Sequence, residues 1–119
     1  MAYVSTMTCT EKKLSLSQIA QQVEKSLAQA SIVSKTTLME NNVVVLCFEQ
    51  YFLRVESSVA LTVVLVELPN AQQAILTGFA GGQGLFNFSL RSNKAFVERA
   101  QVILQPLGFV VDQQDATSN

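Results

Sequence analysis

The sequence predicts an α+β fold: a two-layer sandwich, with an antiparallel sheet of five or six strands and two helices on one face. Three observations carry this expectation. Runs rich in Val, Thr, Leu and Phe follow one another on short turns, and consecutive strands on short connections form an antiparallel meander. Two segments place apolar residues three and four positions apart, the period of a helix buried on one side. The order is strand, helix, several strands, helix, which lets both helices cover the same face.

The elements follow in order. Tyr3 to Cys9 lacks Gly and Pro and is rich in Tyr, Val, Thr and Met, so it reads as a strand. Glu11, Lys12 and Lys13 end it. Ser15 and Gln18 have the spacing of a capping box, and Leu14 with Ile19 that of a hydrophobic staple. Leu16, Ile19, Val23, Leu27 and Ala30 then share one face, and Gln21, Gln22, Glu24, Lys25 and Gln29 the other. A helix is predicted from about Leu16 to Gln29.

A strand over Ile32 to Met39 is closed by the turn Glu40-Asn41-Asn42. A strand run over Val43 to Val55 begins with Val43 to Phe48, which is apolar on both parities, and Val59 to Leu68 is again nearly all apolar, as in strands covered on two sides. Glu56-Ser57-Ser58 separates them. Pro69-Asn70 suits a tight hairpin into a strand over Ala74 to Ala80. Gly81-Gly82-Gln83-Gly84 reads as a turn into a further strand, Leu85 to Leu90, where Phe86, Phe88 and Leu90 alternate with Asn87 and Ser89.

Ser92 or Asn93 then suits a cap for a helix over about Lys94 to Leu104, with Phe96, Ala100, Ile103 and Leu107 on one face. Pro106 and Gly108 end it. Phe109 to Val111 suits a short strand. Residues 1–111 are thus expected to form a single α+β domain, and residues 112–119 a frayed polar tail.

Composition narrows the function. The chain has 119 residues, 49% of them hydrophobic and only 14% charged, the reverse of a disordered chain. Area scaling gives about 6,300 Å² folded against roughly 19,000 Å² unfolded, enough burial for a core without disulfides or a metal. Histidine is absent, which removes histidine-based triads, dyads and metal sites. No apolar run approaches the ~20 residues of a membrane span, so no membrane partner is expected.

Eight Lys and Arg face nine Asp and Glu, with a net charge of -1. The basic residues are scattered, and Glu98 sits inside the closest group, Arg91, Lys94 and Arg99. Nucleic-acid partners need a basic patch, so none is expected. Cys9 and Cys47 lie in apolar stretches without further ligands and read as reduced core thiols. The N-terminal residues carry no secretory signal pattern, and a cytoplasmic location is the expectation.

Four groups of residues carry possible chemistry. Gly78, Gly81, Gly82 and Gly84 resemble a phosphate cradle, but such a loop must run into a helix N-terminus. Here a strand is predicted to follow, so the glycines read as a hairpin turn. Glu49 and Tyr51 share a strand face, with Arg54, Glu56 and Glu67 on neighbouring segments. General acid–base work would need a desolvated carboxylate with a polar group opposite, whereas a cross-strand ion pair explains the same residues.

Cys47 has no histidine to activate it. Phe48, Phe52, Phe79, Phe86 and Phe88 could line a ligand cavity or stack bases, but core packing explains them best. No base, nucleophile and oxyanion site come together. No enzyme activity, no cofactor and no metal are therefore expected.

From Leu61-Thr62-Val63-Val64-Leu65 through Gly81-Gly82-Gln83-Gly84-Leu85-Phe86-Asn87-Phe88, the chain resembles a family of small bacterial proteins known only as a domain of unknown function. The resemblance is clearest from Val59 to Leu104. It implies a TATA-binding-protein-like order of elements and no assigned activity, and it transfers no catalytic residue.

The functional expectation rests on the two-sided apolar strands. One parity packs under the helices, and the rest of the chain hardly supplies a cover for the other. A non-enzymatic interaction module is expected, a homodimer joined through its sheet, with Val43, Val45, Leu61, Val64 and Val66 at the interface. The alternative is a binding protein for a small apolar, lipid-like molecule, with a cavity between sheet and helices.

Overall fold

Alternation governs the first strand. Tyr3, Ser5, Met7 and Cys9 are buried along β1 (Ala2–Cys9), and the residues between them are half-buried, the two-residue period of a pleated chain. The computed structural model describes residues 2–27, 29–52, 57–80 and 86–117.

α1 (Leu16–Ser26) starts on the expected capping box. The Gln18 amide donates to Ser15 Oγ at 3.2 Å, and the Ser15 amide donates to Gln18 Oε1 at 2.9 Å, so two otherwise orphaned donors are satisfied. Leu16, Ile19, Ala20 and Val23 are its buried stripe. The helix stops at Ser26, short of the expected Gln29, because Leu27 leaves the helical region at φ -92° and ψ 49°.

A meander follows: β2 (Ser31–Leu38), β3 (Val43–Phe52), β4 (Ser57–Glu67) and β5 (Gln72–Ala80). The β4–β5 hairpin closes over Pro69-Asn70, with the Leu68 amide donating to the Ala71 carbonyl at 2.8 Å. Then come α2 (Phe86–Leu104), a 3₁₀ turn over Gln105–Leu107, and β6 (Val110–Thr117). Gly108 takes φ 101° to leave that turn, a conformation that favours glycine. The sheet has six strands in the order β2-β3-β4-β5-β1-β6, every neighbouring pair antiparallel.

Both helices lie on one face. α1 packs on β3 and β4, and α2 on β5, β1 and β4. Ile19, Val23, Phe96, Val97, Ala100 and Leu104 share a buried cluster with Val44, Leu46, Phe48, Leu61, Val63, Leu65 and Leu76. Each of the Val, Leu, Ile and Phe side chains among them contributes about 1.5–3 kcal/mol by leaving water. α2 settles onto β5 because Gly78 has no side chain. A Cβ there would stand 2.5 Å from the Asn93 carbonyl oxygen.

Two expectations are corrected. Of the strand expected over Leu85 to Leu90, Phe86 to Leu90 instead form the start of α2. Five alternating residues mimic a strand, yet Phe86, Leu90, Asn93, Val97, Ala100 and Leu104 recur at spacings of four and three, the helical period. Ser92 and Asn93, expected as caps, are buried inside the helix. With α2 in place of the expected strand, the hairpin expected at Gly81 to Gly84 loses its second arm; the glycines themselves lie outside the described residues.

Residues 112–117 are not a frayed tail but the body of β6, which the sequence was expected to end at Val111. β6 is polar because it is an exposed edge strand. It is held by the β1 ladder and by polar contacts: the Thr8 hydroxyl donates to Asp112, and Gln101 Nε2 donates to Ser5 Oγ at 2.7 Å and to Gln114 Oε1 at 2.8 Å.

Candidate interaction surface

Directly paired residues of an antiparallel ladder point to the same side of the sheet, so the register assigns each face. Val44 pairs with Leu65, Leu46 with Val63 and Phe48 with Leu61, and all six are buried under the helices. On the opposite face Val43 pairs with Val66, Val45 with Val64 and Cys47 with Thr62. β5 continues that face with Ile75, Thr77 and Phe79, and β1 with Val4, Thr6 and Thr8. Neither helix covers it. Val43, Val45, Val64 and Val66 are half-buried by their neighbours alone, while Ile75 and Phe79 stand 38% and 40% exposed.

The four inner strands of this open face are free of charge from Val43 to Cys47, Ala60 to Val66, Gln73 to Phe79 and Ala2 to Thr8. Its carboxylates lie at the margin: Glu49 near the end of β3, and Asp112 and Asp115 on the outer strand β6. An apolar centre with a polar rim is the anatomy of a protein interface. Six strands about 4.8 Å apart and eight residues long at ~3.3 Å give a face on the order of 750 Å².

Four of the five expected interface residues, Val43, Val45, Val64 and Val66, lie on this face. Leu61 does not. It is fully buried and paired with Phe48 and Gly78 beneath the helices, because its odd position in β4 gives it the opposite parity to Val64 and Val66. Sequence reasoning missed Val4, Ile75 and Phe79, although β5 carries apolar residues on both parities, the same signal that marked β3 and β4.

The remaining candidates disperse. Glu49 and Tyr51 share the open face, both exposed. Glu67 faces the helix side, where its carboxylate accepts from Gln72 Nε2 at 2.9 Å and lies 2.7 Å from Lys12 Nζ. Burial pushes its pKa up, but the Gln72 hydrogen bond and the Lys12 charge outweigh that and hold it below the usual glutamate value. Its ion pair is with Lys12, in the loop before α1. Arg54 and Glu56 lie outside the described residues.

Both cysteines are free. Cys9 is buried, whereas Cys47 is half-buried on the open face rather than in the core. Phe48 is in the core, Phe52 packs at its edge, and Phe79 is on the open face. The side chains of Phe86 and Phe88 lie outside the described residues. Among the described residues, no group of three or more acidic or cysteine side chains has metal-binding geometry, and no helix is long and apolar enough to cross a membrane.

Phe48, Phe96, Leu61 and Leu76, between sheet and helices, are each 2% exposed or less. A groove of about 480 Å³ is lined by Leu27, Ala95, Arg99, Val102 and Ile103 among others, from α2 and the end of α1. Arg99 is not free to serve it. It donates to Gln50 Oε1 and stacks 5.4 Å from the Phe96 ring centre, and burial lowers its pKa from the usual arginine value.

A family model, described as a family of unknown function (DUF6054), matches residues 1–108. The chain belongs to that family. The match takes in both helices and β1 to β5, beyond the Val59 to Leu104 segment that carried the resemblance, and stops just before β6. No curated protein matches the chain.

Proposed function

We propose that this DUF6054 member is a non-enzymatic interaction module that self-associates through the open face of its sheet. One observation carries the reading: the uncharged Val, Ile and Thr surface across β3, β4, β5 and β1, which neither helix covers. The four uncharged inner strands supply on the order of 500 Å², and only with the polar outer strands β2 and β6 as a rim does the face reach about 750 Å², near the roughly 800 Å² per partner of a stable interface. A second copy supplies the same uncharged surface, and a two-fold axis buries one self-complementary patch twice. Aligned sheet-on-sheet packing at about 10 Å is the geometry such faces adopt.

The test is sedimentation of the wild type beside Val64→Glu and Val45→Glu. Both substitutions lie on the open face and outside the core, so each variant should keep its far-UV circular dichroism and lose the mass of the face partner. Wild-type protein at 13.0 kDa across micromolar concentrations overturns the proposal. So does an assembled mass that neither variant changes.

A further inference from the structure

The two edges of the sheet are built differently. β6 is guarded: it carries Asp112 and Asp115, and a bulge opposite Thr6 and Met7 interrupts its ladder. Charges and bulges are how edge strands avoid pairing with other chains. β2 is exposed along all eight residues and pairs only with β3. Its single charge, Lys35, is drawn back onto α1, 3.3 Å from Glu24 Oε2. Around it cluster Ile32, Val33, Leu38 and Met39, 45%, 63%, 51% and 74% exposed. The turn that holds Met39 out is strained, with Met39, Glu40 and Asn41 all at positive φ of 54°, 55° and 70°, a region costly for residues other than glycine.

We propose that β2 is a second self-association site, where the β2 strands of two copies pair antiparallel about a two-fold axis through Thr36 and join their sheets edge to edge. A second copy fits because the exposed apolar residues stand at both ends of the strand, with Ser34, Lys35, Thr36 and Thr37 between them. Turned antiparallel about Thr36, exposed Val33 of each copy comes beside exposed Met39 of the other. A two-fold perpendicular to the sheet keeps both helix layers on one side, so paired residues must have the same parity. An axis at Lys35 would set two ammonium groups directly opposite, a destabilising pair.

An axis at Ser34 would place the bulge at Val33 inside the new ladder, and one at Thr37 would shorten it. With Thr36 on the axis, Thr36 faces Thr36, Lys35 faces Thr37, Ser34 faces Leu38, and Val33 comes beside Met39. The guarded β6 edge disfavours head-to-tail stacking of β2 on β6, so the pairing closes as a dimer. The joined sheets also present one continuous open face, although the edge contact does not depend on that face being occupied.

The test is Thr36→Cys in a Cys47→Ser background, oxidised under mild conditions beside Thr37→Cys in the same background. Directly opposed positions sit within disulfide reach and displaced ones do not, so Thr36→Cys should form the covalent dimer about tenfold faster. Adding Val64→Glu separates the two proposals. Cross-linking that survives it establishes the edge contact without the face, whereas a mass change on Val64→Glu with no Thr36 cross-link leaves only the face. Equal rates at positions 36 and 37, or no covalent dimer at either, overturn the edge pairing. As a second variant, Val33→Lys with Leu38→Lys should remove the edge partner without unfolding a strand whose side chains are already exposed.

Discussion

The two faces of the sheet are built from nearly the same residues and do opposite things. On the covered face Val63, Leu65 and Leu76 are fully buried. One position along the same strands, Val64, Val66 and Ile75 remain within reach of water. The difference is parity and the presence of helices, not hydrophobicity. The comparison teaches that an apolar strand residue reports the fold only once its cover is identified, and that without a cover it marks a surface available to a partner.

Four measurements break or sharpen this contrast. The largest effect is expected for Leu65→Ala, which empties a fully buried site and should cost about 3–4 kcal/mol in urea denaturation. Val66→Ala, the next open-face position, should cost under about 1 kcal/mol in protein kept monomeric. Equal losses would show that the open face is already packed in the monomer.

Gly78→Ala comes next. Its Cβ would meet the Asn93 carbonyl oxygen at 2.5 Å, so α2 must lift from β5, at about 2–3 kcal/mol. Thr77→Ala, on the open side of the same strand, is the control.

A smaller effect is expected where the covered side reaches the outer strand. Gln101→Ala strands Ser5 and Gln114 and should cost about 1–2 kcal/mol. Amide exchange should accelerate in β6 ahead of β5, and uniform exchange would place the anchoring of β6 elsewhere.

The smallest is a pH effect. Because the folded pKa of Glu67 is lowered, its contribution is present above the usual glutamate value. It is lost as pH falls through the lowered folded value. As pH falls below the usual glutamate value, Glu67→Gln should flatten the acid limb of the stability curve by under about 1 kcal/mol, since the Lys12 pair is partly exposed. An unchanged acid limb would assign that slope to other carboxylates.

The same contrast explains what was legible in the residues. The capping box at Ser15 and Gln18, the Pro69-Asn70 hairpin and the Gly108 exit are local, and a few adjacent side chains and backbone angles specify them. The start of α2 was misread because Phe86 to Leu90 satisfies both a period of two and, when carried on to Leu104, the helical period. A five-residue window cannot separate them. β6 was read too short, as Phe109 to Val111, for the opposite reason. Its strand character comes from the free β1 edge and from Gln101, which lie far away along the chain.

Sequence alone determined the α+β class, both helical stripes, the meander and the surplus of apolar strand residues, because each depends on periodicity and turn chemistry within a few positions. Tertiary structure decided which parity lies under the helices, and with it that Leu61 is core while Val43, Val45, Val64 and Val66 are surface. It also decided that β1 joins the sheet between β5 and β6, and that Glu67 answers to Lys12. These are properties of register and layer contact: a two-residue period says that two faces differ, and only the docked helices say which one is inside.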